Sequence, residues 1–232
     1  MPGKNTVRHF TENGIYHVYN RGVEKRDTFL DDQDYAVFLH LLKYYLSPID
    51  PNEVHPLMKF QNFTVVRPRP LANIEKEVNL IAYCLMPNHF HLMLQQISVD
   101  GVTKLLRRVS TTYSMYFNKR YKRVGYLFQG KYKAVLVETD SYLLHLSRYI
   151  HLNPTELTRT ELTGSDLVSY PYSSYPYFLG EKHASWVKPG IILAYFDGHK
   201  LIPSLNKYSS YKNFVEGSID SSKELLGNLT LE

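Results

Sequence analysis

The sequence predicts an α+β protein built on one antiparallel sheet. Three observations carry that expectation: an alternating Tyr/Val-rich segment near the start, two apolar runs joined by Pro-Asn, and amphipathic segments set between and after them. GIYHVYNRG (14–22) alternates and reads as the first strand. Asp31-Asp32 cap a helix through Leu46, with Tyr35, Phe38, Leu39, Leu42 and Tyr45 at helical spacing. The stretch from Ser47 to about Lys76 is punctuated by proline (SPIDPNEVHP, VRPRP) and reads as an insertion, with FTVV as a short strand candidate inside it. Val78 to Met86 and His89 to Gln96 pair as a hairpin across the Pro87-Asn88 turn. Val102 to Tyr121 places Leu105, Leu106, Val109, Tyr113, Tyr116 and Phe117 at intervals of three and four, an amphipathic helix that Gly125 ends. Leu127 to Glu138 is a fourth strand region, and Asp140 caps a third helix that runs to Asn153, where Pro154 stops it. The order β-α-β-β-α-β-α is the ferredoxin-like, split βαβ plan, expected with helices on one face of the sheet and the other face open to a ligand. Residues 155–232, Tyr- and Pro-rich at SYPYSSYPYFLG and Ser-rich near the end, read as an appended C-terminal module, so the expected division is 1–154 and 155–232.

A chain of 232 residues with 44% hydrophobic content can bury a substantial core. It has no run of the ~18 apolar residues that a membrane span needs. MPGKNTVRHFTENG also has no apolar signal core, so a cytoplasmic protein without a membrane partner is expected. The single cysteine, Cys84, excludes intrachain disulfides and Cys-based zinc sites, which leaves His, carboxylate or amide ligands for any metal. Net charge is +5, and nine basic residues with no acidic one lie between Gly101 and Lys133. Seven tyrosines and phenylalanines are interleaved with them (Tyr113, Tyr116, Phe117, Tyr121, Tyr126, Phe128, Tyr132). That mixture suits a nucleic-acid strand, by phosphate neutralisation and base stacking, and equally describes a solvated helix face over ordinary core aromatics.

MPNHFHLML (86–94) spends two strand positions on imidazole. Alternation sends His89, His91 and Met93 to one face and Phe90, Leu92 and Leu94 to the other. The imidazoles then stand roughly 6.5 to 7 Å apart along the strand and can converge on one ion. The plainer alternative is a pair of exposed or hydrogen-bonded strand histidines. In DSYLLHLSRYIHLNP, Tyr149 and Asn153 sit one turn apart on a face shared with Tyr142 and His145, while Leu143 and Ile150 mark the buried side. Here the alternative is a packing tyrosine and a polar residue that merely ends a helix.

Together AYCLMPNHFHLML, GYLFQGKYKAVLVETDSYLLHLSRYIHLNP and IYHVYNRGVEKRDTFLDDQDY resemble the single-tyrosine HUH transposases, in particular the REP-associated tyrosine transposase branch, over roughly residues 14 to 154. The resemblance implies that His89, His91 and Asn153 hold a divalent metal, Mg²⁺ or Mn²⁺, and that Tyr149 is the nucleophile. It implies a DNA-nicking and strand-transferring enzyme whose partner is single-stranded DNA carrying a hairpin, with a homodimer as one assembly to test. Arg107, Arg108, Arg120 and Arg123 are the candidate phosphate contacts. The long 47–76 connection and the C-terminal segment depart from the family pattern.

Such chemistry is physically coherent. A phenol with a pKa near ~10 is a poor nucleophile at neutral pH, and a metal that draws charge from the phosphate compensates. Two other functions compete: a non-catalytic DNA- or RNA-binding module that keeps the fold, and a small-molecule metallohydrolase using the histidine pair. Formation of a metal-dependent covalent protein-DNA adduct separates the first reading from both.

Overall fold

A computed structural model of the chain describes residues 10–48, 74–157, 164–197, 205 and 208–217. The FTVV segment and most of the expected insertion lie outside the described residues. The elements are β1 (Ile15–Arg21), α1 (Asp32–Leu46), β2 (Val78–Met86), β3 (His89–Gln96), α2 (Gly101–Arg120), β4 (Lys133–Leu136) and α3 (Asp140–Leu152), followed by the short helices α4 (Gly164–Ser169), α5 (Tyr175–Phe178), α6 (Gly190–Leu193) and α7 (Tyr211–Glu216). The sheet has the order β2-β3-β1-β4, with every neighbouring pair antiparallel. This is the expected α+β, ferredoxin-like arrangement.

On one face, Tyr16 and Val18 of β1 and Phe90, Leu92 and Leu94 of β3 pack under Phe38, Leu41 and Tyr45 of α1 and Leu105, Val109 and Tyr113 of α2. Apart from Asn79 the strand β2 is apolar, so alternation cannot assign its faces. A bulge between Leu80 and Ala82 shifts its phase. Leu80 therefore joins the α1/α2 core while Ala82, Cys84 and Met86 face the other way.

That other face is not open, which corrects the sequence expectation. The α3 residues Leu143, Leu146 and Ile150 form a second core with Cys84, Met86 and Met93, closed over by Tyr175, Phe178, Ile192, Tyr211 and Phe214 of the C-terminal segments. The physical reason is the apolar character of both surfaces: Met93 and Ala82, Cys84 and Met86 of β2 need cover, and α3 has a stripe to bury. The same segments protect the β2 edge, where Leu85 N donates to Tyr172 O at 2.9 Å and Lys188 N to Leu80 O at 2.8 Å.

Local chemistry adjusts three expected boundaries. The N-cap of α3 is Thr139, whose hydroxyl accepts from Tyr142 N, and Asp140 is the first helical residue. The chain does not stop at Pro154 but tightens into a 3₁₀ turn over Asn153–Leu157. The fourth strand is shorter than expected because Gly130, at φ 141, takes the chain out of register before Lys133.

Asp34 in the first turn of α1 is fully buried, and four donors converge on it: Leu30 N, Tyr116 OH, Tyr121 OH and Arg120 Nη1, at 2.8 to 2.9 Å. Arg120 also holds Asp31 at 2.6 Å. This network ties α1 to α2. Asp34→Ala should lower the unfolding free energy by ~1–3 kcal/mol in urea denaturation, because it leaves Leu30 N and two phenols without their carboxylate acceptor while Arg120 keeps Asp31. The exposed Arg107→Ala should change it by less than ~0.5 kcal/mol.

On α3, His151 is fully buried, with Nδ1 2.7 Å from Tyr211 OH and Nε2 2.8 Å from Ser174 Oγ. Burial pushes it down to about 3. An unfolded histidine titrates near ~6.5, so on acidification below that point the unfolded chain takes up a proton that the folded one refuses. Its contribution to stability is complete above that pH and is lost as pH falls toward the folded value. Metal-free protein should therefore lose stability between about pH 6.5 and about pH 3. His151→Gln should make the slope shallower by up to ~1.4 kcal/mol per pH unit. An unchanged slope would show that His151 ionises alike in both states.

Candidate active site

The hairpin turn and α3 bring the site together. The 2-residue turn at Pro87-Asn88 starts β3 at His89, and alternation puts His89 and His91 on the α3 side. Both are buried, as are Tyr149 and Asn153. The Tyr149 ring stands edge-on to His91, centroids 5.2 Å apart, and His89 Nε2 lies 3.3 Å from Asn153 Oδ1. All four predicted residues thus meet in one place.

Tautomers follow from the surrounding hydrogen bonds. Asn88 Nδ2 donates to Lys25 O at 3.2 Å, which leaves Asn88 Oδ1 to accept from His89 Nδ1 at 2.6 Å. Burial pushes His89 down to about 4, against a smaller upward pull from Asn153, so at neutral pH it carries one proton and its Nε2 presents a lone pair. Asn153 Nδ2 is committed to Tyr149 O at 3.1 Å, so Oδ1 is the atom turned toward that lone pair. Two acceptors face each other with no proton between them.

His91 repeats the pattern. Burial, then the nearby His17 and His89, holds it well below its ordinary value. Its Nδ1 is 2.8 Å from His17 Nε2, while its own Nε2 is buried without a hydrogen-bond partner. In the tautomer in which His91 Nδ1 donates to His17 Nε2, His91 Nε2 is a second orphaned lone pair. In that tautomer His89 Nε2, His91 Nε2 and Asn153 Oδ1 are three electron-pair donors, and both imidazoles are oriented through Nδ1 as metal-binding histidines usually are. The donor set fits a divalent cation. Among the described residues, no group of three His, Cys, Asp or Glu side chains is arranged to hold a metal, so the amide is needed to complete this set.

His17 is the residue that sequence reasoning missed. It is fully buried on β1, its ring stacked 5.0 Å from that of His91, and burial pushes it down to about 3. The signal was present in IYHVYNR, where alternation sets His17, Tyr19 and Arg21 on one face. His145 departs from expectation: it turns toward Arg148, 2.8 Å away, and the Phe214 ring, away from the histidine cluster. Tyr142 has a buried hydroxyl without a hydrogen-bond partner, and its phenol is pushed up by burial and then by Tyr19.

The basic stretch lies elsewhere. Arg107, Arg108 and Arg120 ride on α2, which packs on the sheet face opposite Tyr149, and Arg123 follows its end. Arg120 is engaged by Asp31 and Asp34, Arg108 lies over the Tyr45 ring at 5.7 Å, and Arg123 bonds Asn118 Oδ1 at 2.9 Å. Arg107 is exposed. Of the interleaved aromatics, Tyr113, Tyr116, Phe117, Phe128 and Tyr132 are core residues, whereas Tyr126 is 87% exposed beside Val124. Most of these rings are therefore core residues, and Tyr126 is left exposed.

The ferredoxin-like sheet thus presents a His-x-His strand to a tyrosine-bearing helix. Residues 71–153, which include His89, His91, Tyr149 and Asn153, match the family described as "Transposase IS200 like", so the resemblance read from the sequence is borne out over that segment. A solved structure described as the REP-associated tyrosine transposase bound to a REP hairpin is similar over 86% of this chain and 99% of its own, with 13% identity and a TM-score of 0.51. No curated protein matches the chain in sequence. No helix among the described residues is long and apolar enough to cross a membrane.

Proposed function

We propose that the chain is a metal-dependent single-stranded DNA endonuclease and strand transferase, a transposase acting through a covalent 5′-phosphotyrosine on hairpin-containing DNA. The observation that carries this reading is the packing of the Tyr149 ring against His91 beside the His89 Nε2–Asn153 Oδ1 contact, all four residues buried in one cluster. The family match over 71–153 supports the reaction class, and the hairpin ligand of the similar solved structure supports the substrate.

His89, His91 and Asn153 would hold Mg²⁺ or Mn²⁺, which when bound withdraws charge from a non-bridging phosphate oxygen. Tyr149 supplies the nucleophile. A bond forms between Tyr149 Oη and phosphorus as the bond from phosphorus to the 3′-oxygen breaks, and the proton lost by the phenol is balanced by one gained at the 3′-hydroxyl. The 5′ phosphate stays on the enzyme, and a later 3′-hydroxyl attacking the same phosphorus rejoins strands without a high-energy cofactor. His17 and Asn88 keep the two imidazoles oriented, and burial keeps them neutral and available as ligands. Residues 1–154 are assigned to this nuclease domain and 155–232 to an extension that shares the second core.

The test is incubation with a single-stranded oligonucleotide carrying a hairpin and an unpaired flank, with Mn²⁺ or Mg²⁺. A denaturant-resistant protein-DNA adduct that disappears with chelator is expected. Binding should weaken with salt with a log-log slope of roughly −0.7 per phosphate contact. Salt-dependent binding with no adduct under either metal would favour the non-catalytic binding module instead.

A further inference from the structure

Next to the histidine cluster the β1–β4 ladder opens. Tyr19 pairs with Lys133 and Gly22 bridges Phe128, so Asn20 and Arg21 on β1 face four residues, Gln129 to Tyr132, on the other chain. Two surplus residues must bow outward. Gln129 N donates to Arg21 O at 2.8 Å and Asn20 Nδ2 to Gly130 O at 3.1 Å, which fixes the bow at its base. Between them is a cleft of about 330 Å³ lined by Tyr19, Asn20, Arg21, Gln129, Lys131 and Lys133, with Gly130 at its rim.

The lining has three cations and no carboxylate. Arg21 is register partner to His89, and its Nε is buried without a hydrogen-bond partner. Lys133 Nζ lies 5.8 Å from the centre of the Tyr19 ring, and that ring is 4.8 Å from His17 and 5.9 Å from His91. The cleft therefore adjoins the site on the Tyr149 side of the sheet, where the α2 arginines are not. Its size falls at the small end of ligand pockets, roughly 300 to 1,000 Å³, enough for one nucleotide unit and too small for a duplex.

We propose that this cleft is the subsite for the nucleotide next to the scissile phosphate, with Arg21, Lys131 and Lys133 holding its backbone phosphate. The inference rests on the proposed nuclease reading and deepens it: the single strand enters along β1 and the 129–133 bow rather than along α2. Recognition here is of the phosphate, so it is independent of base identity.

The experiment measures metal-free binding by fluorescence anisotropy, with the full chain carrying Tyr149→Phe, to the hairpin oligonucleotide and to a blunt duplex. Arg21→Gln, Lys131→Gln and Lys133→Gln are compared with the parent. Lys131 is exposed, so its variant keeps the test valid if Arg21→Gln unfolds. Each variant should bind the single strand several-fold more weakly, with the salt slope reduced by at most about 0.7 for the one phosphate they share, and should leave duplex binding unchanged. A neutral methylphosphonate is then walked through the unpaired flank. One position should cost the parent at least the same factor and cost each variant less. Unchanged affinity in the Lys131 and Lys133 variants, equal losses on duplex, or losses that add to every methylphosphonate would overturn the proposal. Adduct formation by the wild-type chain is scored separately, so the nuclease reading can fail while the cleft stands, or the reverse.

Discussion

Tyr149→Phe is expected to yield no covalent protein-DNA adduct at any metal concentration, while affinity for the hairpin oligonucleotide stays within about twofold of wild type. The substitution removes one oxygen from a side chain that packs edge-on against His91 at 5.2 Å and His17 at 6.2 Å, so the ring contacts survive. Binding should survive with them, since phosphate contacts supply most of the affinity for a strand and none of them needs the phenol. Tyr142→Phe should be mild. Its hydroxyl is buried without a hydrogen-bond partner, so removing it relieves an unsatisfied group and should leave adduct formation within a few fold. Denaturing gel analysis of the two variants beside wild type decides the assignment. An adduct from Tyr149→Phe together with none from Tyr142→Phe would transfer the nucleophile to Tyr142.

Sequence periodicity carried the frame of this molecule well because its hairpin is sharply bounded. Val78–Met86 and His89–Gln96 appear where the apolar runs and the Pro-Asn turn place them, and Asp31 caps α1 through a side-chain bond to Asp34 N. Alternation and the one-turn spacing of a helix, being local rules, put His89 with His91 and Tyr149 with Asn153, but it was the family resemblance that joined the two pairs. What escaped was decided by partners distant in sequence. Nothing near His17 says that β1 will lie beside β3 and set its imidazole on His91, 74 residues away. Nothing in the arginine run says that Arg120 will be drawn to Asp31 and Asp34. The open face was expected because C-terminal cover is a tertiary fact: Tyr211 and Phe214 reach α3 from beyond a stretch that no periodicity links to it. Reversing Arg120 to Glu is for that reason a poor probe of DNA binding, since it would bring a carboxylate against Asp31 and Asp34 and unfold the α1/α2 contact.

His91→Ala is expected to abolish Mn²⁺ binding in a calorimetric titration without DNA, and His89→Ala to do the same. Each removes one of two imidazole donors from a three-donor set, and an amide oxygen with a single imidazole is a weak site for a divalent ion. The supporting residues should act more gently and in a definite order. His17→Ala leaves all three donors present but frees His91 Nδ1 from the 2.8 Å bond that fixes its ring, and Asn88→Ala releases His89 Nδ1 in the same way. Loss of such an orienting partner typically costs 10- to 100-fold in metal affinity, so both variants should still bind, at about that penalty. Asn153→Ala should fall between the two groups, because it removes a donor while also freeing the turn held by Asn153 Nδ2 on Tyr149 O. The measurement needs no turnover, so it separates the metal site from the nucleophile. Undiminished Mn²⁺ affinity in His91→Ala would leave the orphaned Nε2 atom without a role in metal binding and return His89 and His91 to buried strand histidines. Affinity lost equally in His17→Ala and His91→Ala would instead make His17 a ligand in its own right.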